Sequence, residues 1–120
     1  MHEDKRDGLR VPFAPIAIIT RVNKNVSHAV RVRDLSIKGI GIYSNDVFQK
    51  DEQLLVELAL PGEQDAEILM IPGEVAWLET LQGVTQYLIG IKFHLIPEFK
   101  EKLQSYIHSI EERLNYKELK

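Results

Sequence analysis

The sequence predicts an all-β fold, a six-stranded antiparallel β-barrel followed by one C-terminal α-helix. Three observations predict it. Six short segments rich in β-branched residues alternate, wholly or in part, between apolar and polar positions. Gly, Pro, Asn and Asp gather in the connections between them, and only after Pro97 does the apolar spacing change from two residues to three and four. Six short strands with turns of this kind suit a closed or nearly closed barrel.

The elements follow in order. Residues 1–10 lack hydrophobic periodicity and include Gly8; with Val11-Pro12 they read as a flexible arm, 1–12. Ile16 to Val22 is β-branched and continuous enough for a first strand, and Asn23-Lys24-Asn25 accepts left-handed turn geometry. Ser27 to Arg33 returns antiparallel and ends at the turn Asp34-Leu35-Ser36-Ile37-Lys38-Gly39. Ile40 to Tyr43 is the third strand, with Gly41 marking a bulge or a close backbone approach. Gln53 to Leu60 is the fourth, stopped by Pro61-Gly62. Glu67 to Glu79 is the fifth, and Pro72-Gly73 inside it predicts a bend, bulge or edge, because proline cannot donate to a ladder. Tyr87 to Phe93 is the sixth. From Pro97 the apolar positions Phe99, Leu103, Tyr106, Ile107, Ile110 and Leu114 form the stripe of an amphipathic helix, with proline tolerated in its first turn. The expected organisation is one domain: arm 1–12, barrel 13–96 and helix 97–120.

Composition narrows the function classes. The chain has no cysteine, which excludes disulfides and thiolate metal sites. Its net charge of -3 argues against a protein that grips a nucleic-acid polymer over a wide face. Positive charge is local instead, with Lys5, Arg6 and Arg10 at the front and Arg31 and Arg33 leading into Asp34. That distribution suits a small anionic ligand. The start of the chain carries charges of both signs and the apolar run Phe13 to Ile19 is broken by Pro15, so neither a signal peptide nor a membrane span is read; the expected setting is the cytoplasm without membrane insertion. His2, His28, His94 and His108 are scattered with no two at ligand spacing, which predicts no metal site and no catalytic residue.

Two short motifs stand out. Arg6-Asp7-Gly8-Leu9-Arg10 sets two guanidiniums four positions apart, with Lys5 beside them. One predicted hairpin later, Asp34-x-Ser36-x-x-Gly39 offers a carboxylate, a hydroxyl and a backbone with no side chain in the way. Each alone is ordinary: arginines in a polar tail are usually solvated charge, and Asp, Ser and Gly are what any turn needs. Their conjunction, Arg-x-x-x-Arg, a hairpin, then Asp-x-Ser-x-x-Gly, resembles the PilZ domain, a bacterial receptor family for cyclic di-GMP. The resemblance spans almost the whole chain, since the Trp77 strand and Gly90-Ile91-Lys92-Phe93 look like the closing strands of that family's six-stranded, split-type barrel.

The resemblance implies a receptor or adaptor and not an enzyme. Its ligand would be cyclic di-GMP, with no cofactor, and its output would pass to a downstream effector protein. It assigns ligand contacts to Arg6, Arg10, Asp34, Ser36 and Gly39, with Lys5 as a further candidate. The chemistry suits that ligand. An arginine fork donates to phosphate or to the guanine O6 and N7 acceptors, and its plane stacks on a base. A carboxylate such as Asp34 accepts from the N–H donors of a guanine edge, Ser36 can donate to a phosphate oxygen, and Gly39 allows close approach. The resemblance also implies that the arm orders over the barrel when ligand bridges the two. The alternative reading is a PilZ-like interaction module that signals without ligand.

Overall fold

The computed structural model describes residues 16–60, 67–81, 83 and 85–119, with no description of the side chains of 60, 67 and 109–119. Lys5, Arg6 and Arg10, and with them the whole arm 1–12, lie outside the described residues. The elements are β1 (Ile16–Arg21), β2 (Val26–Leu35), β3 (Gly39–Ser44), β4 (Gln53–Leu60), β5 (Glu67–Thr80), β6 (Tyr87–Phe93) and α1 (Pro97–Leu119). All six strands pair antiparallel in the order β1-β2-β3-β6-β5-β4, and β4 returns to β1 to close the barrel.

Alternation decides what fills it. Ala17 and Ile19 of β1, Leu54, Val56 and Leu58 of β4, and Leu69, Ile71 and Val75 of β5 point inward and are buried, while their neighbours along each strand face out. Removing a side chain of this size from water contributes roughly 1.5–3 kcal/mol. The helix adds a lid. Leu103 is fully buried, and Phe99, Tyr106 and Ile107 pack half-buried against the same core, so the stripe read from the sequence covers the barrel; the side chains of Ile110 and Leu114 fall outside the described residues. No helix of the described residues is long and apolar enough to cross a membrane.

The turn after β1 forms as its residues require. The amides of Lys24 and Asn25 both donate to the Arg21 carbonyl, at 3.1 and 2.7 Å, and Asn25 takes the left-handed φ of 54° that asparagine tolerates. Pro72 departs from expectation. β5 runs through it as one 14-residue strand. The Pro72 carbonyl accepts the His94 amide at 2.8 Å, and pairing with β6 begins one residue later at Gly73–Phe93. The missing proline donor therefore faces the side of the strand where the β6 ladder has already ended. The bulge in β5 lies further on, between Val75 and Trp77.

Candidate functional site

The candidate site is built by two bulges. In β2, Val30 and Val32 face the core, and unbroken alternation would turn Asp34 inward too. The register shifts instead: Val32 pairs with Ile42 and Asp34 with Gly41, which leaves Arg33 as the extra residue. Leu35 consequently packs on the core and Asp34 turns out. β5 repeats the device. Val75 is buried and pairs with Ile91, Ala76 is the extra residue, and Trp77 pairs with Gly90 and faces out while Leu78 packs on the core.

These shifts place four residues in one row across four strands. Asp34 pairs with Gly41, Gly41 with Gly90, and Gly90 with Trp77. The two central glycines make a floor with no side chain of its own, and the flanking side chains cover it. A Cβ on Gly41 would stand 2.8 Å from Asp34 Oδ1, and one on Gly90 would collide with the Trp77 indole. The floor opens into a concavity of about 670 Å³ lined by Asp34, Ser36, Lys38, Gly39, Trp77, Lys92 and Lys100 among others. A carboxylate at one end, an indole at the other and three ammonium groups on the rim suit a flat base carrying phosphate.

Asp34, Ser36 and Gly39 are thus brought together on one surface, as expected from their motif. Asp34 itself sits in β2 and not in the turn after it, because the bulge extends the strand to Leu35. The turn proper is short: the Ser36 amide donates to the Gly39 carbonyl at 2.9 Å, and Ser36 Oγ accepts the Lys38 amide at 3.1 Å. That hydroxyl accepts the turn's bond and keeps its own hydrogen for an outside acceptor. Gly39 has a packing reason for its missing side chain, since a Cβ there would run into the Ile91 carbonyl. The glycines that clear the floor are Gly41 and Gly90. Sequence reasoning placed Trp77 only on a strand and gave no site role to Lys38, Lys92 or Lys100. Trp77 faces Gly90 only because of the register shift after Val75, so its strand's alternation gave no signal for an exposed ring over a glycine.

Arg33 touches two of the residues that line the groove. Its Nε donates to Asp34 Oδ2 at 2.7 Å, and its guanidinium carbon lies 6.0 Å from the centre of the Trp77 ring. A second arginine cluster lies elsewhere, where Arg21 forks onto Glu52 at 2.7 and 2.8 Å and lies 4.3 Å over the Phe48 ring. Glu52 Oε1 also accepts the Gln49 amide at 3.0 Å. The Arg21 guanidinium holds the Glu52 carboxyl below its ordinary range, against burial, and the Glu52 carboxylate in turn raises Arg21. Histidines pair with acids at other places, His28 with Asp46 at 3.2 Å and His94 with Glu74 at 3.1 Å, and no three candidate metal ligands cluster among the described residues.

A family model described as PilZ domain matches residues 4–109. No curated protein matches the chain in sequence. Several solved structures resemble it in fold, three of which follow. The PilZ domain of YcgR from Escherichia coli, solved with c-di-GMP, has a TM-score of 0.67 at 19% identity, covering 88% of each chain. The Bacillus subtilis inhibitor of motility (MotI/DgrA) has a TM-score of 0.67 at 16% identity, with 84% of this chain covered. Klebsiella (K. pneumonia) MrkH in its apo state has a TM-score of 0.70 at 11% identity, with 86% covered. This chain spans about half the length of the last two, 47% and 49%.

Proposed function

The chain belongs to the PilZ domain family, and on that premise we propose that it is a receptor for cyclic di-GMP. The observation that carries the reading is the row Asp34–Gly41–Gly90–Trp77, whose carboxylate and indole line one concavity with the family's Asp-x-Ser-x-x-Gly residues. One guanine lies in that concavity with its N–H edge on Asp34 and its face toward Trp77, while Ser36 and the rim lysines meet phosphate. Arg6 and Arg10 close on the ligand from the arm, with Lys5 as a further contact.

Chain geometry permits this. Ile16 pairs with Arg31, so the chain before Ile16 enters the barrel three residues, about 10 Å, from Asp34. Arg10 is six Cα steps from Ile16, a span of at most about 20 Å when extended, which lets Arg10 reach the groove. Ligand would then bridge arm and barrel, and this ordering is the signal passed to a downstream effector protein in the cytoplasm. No covalent bond changes, and the protein acts as a receptor and not as an enzyme.

Titration with cyclic di-GMP tests it, by calorimetry and by the fluorescence of Trp77, the single tryptophan. Saturable binding is expected, weakened about ten- to over a hundredfold by Arg10→Ala, the worth of one charge-assisted contact. Absence of heat and of fluorescence change at high micromolar ligand would refute the proposal.

A further inference from the structure

Arg33 belongs to neither signature motif, yet it holds what a guanine would need. Its Nε donates to Asp34 Oδ2 and its guanidinium extends toward the face of Trp77. The bulge explains the placement. Arg33 faces out as alternation from Val32 requires, and the register shift turns Asp34 out beside it while Leu35 returns to the core. A guanidinium resembles a guanine edge in two respects: it is flat, and it presents N–H donors side by side. The two demands on Asp34 conflict, because N1–H and N2–H of guanine together need both carboxylate oxygens and Arg33 already holds one.

We infer that Arg33 is an internal competitor that holds the Asp34 carboxylate in the free protein and is displaced by the base. The inference rests on the proposal that the groove takes guanine. The bond to be broken is weak, since the Arg33 and Asp34 side chains are 39% and 51% exposed. Competition of that strength lowers affinity by about two- to fivefold without preventing binding. It also raises selectivity: a base that cannot donate two hydrogens to Asp34 gains nothing by expelling a group that does.

Cyclic di-GMP titrations of the full chain and of Arg33→Met, at about 0.5 M salt where the general loss of one positive charge is largely screened, test this. The variant is expected to bind about two- to fivefold more tightly than the unaltered chain. In nitrogen-15 spectra of the unaltered chain, the Arg33 Nε–H should exchange more slowly when free than once ligand is bound. If the chain binds but Arg33→Met binds equally or more weakly, or if the Nε–H stays protected in the complex, Arg33 is not a competitor and the cyclic di-GMP proposal stands without it. If neither protein binds, both fall.

Discussion

Two arginines in this barrel make the same kind of contact in different surroundings. Arg21 and Arg33 each place a guanidinium on a carboxylate and toward an aromatic ring. At Arg21 the fork is doubly bonded, the ring is 4.3 Å away, and the side chains of the pair are 9% and 6% exposed. At Arg33 there is one bond, the ring is 6.0 Å away, and exposure is 39% and 51%. Burial decides what each pair can do. Water competes for Asp34 continuously, so its arginine can be exchanged for another donor at little cost, whereas Glu52 has no such substitute and must keep its partner. The first is part of the fold and the second is available to a ligand.

The largest effect should come from breaking the buried pair. Arg21→Met leaves Glu52 enclosed and unpaired and should cost about 3–5 kcal/mol of stability in urea unfolding, while Arg21→Met with Glu52→Leu recovers most of the loss. A cost under about 1 kcal/mol for the single change would erase the contrast between the two sites. The same pair sets an acid limit. The folded Glu52 carboxyl titrates below its ordinary value of 4.5, chiefly because of Arg21, so its contribution is complete above that value and is lost as pH falls through the lower folded one. Unfolding midpoints measured from pH 6 to 3 should therefore fall more steeply in the unaltered chain than in Glu52→Gln.

An intermediate effect is expected at the groove floor. Gly90→Ala drives a methyl group into the Trp77 ring and should cost about 1–3 kcal/mol, with a shift in the emission of that tryptophan. Unchanged emission would mean that the ring does not rest on the floor. The smallest effect belongs to the exposed pair: Arg33→Met should change stability by about 1 kcal/mol or less, and a loss near that of Arg21→Met would show that it too is part of the fold.

The sequence by itself determined the strands, the helix and the surface on which the candidate site lies. β4 and β6 match their expected bounds, the other strands differ by a residue or two at their ends, and the strands and the Leu103 stripe follow from periods of two and 3.6 that neighbouring residues set among themselves. The motif residues Asp34, Ser36 and Gly39 were legible because they are close in the chain; Lys5, Arg6 and Arg10 lie outside the described residues. Tertiary structure decided which way the key side chains face. Simple alternation sends Asp34 and Trp77 into the core, and only bulges at Arg33 and Ala76 turn them out. A bulge is a mismatch between two strands, so a strand's own pattern does not fix its position: Gly41 was read as marking a bulge or a close approach, yet the extra residue is Arg33 in the strand opposite, and the bulge in β5 lies beyond Pro72-Gly73. The same holds for Arg21 and Glu52, 31 residues apart, and for the meeting of Gly41 with Gly90: each depends on which strands become neighbours when the barrel closes, a choice made by burying the whole core at once.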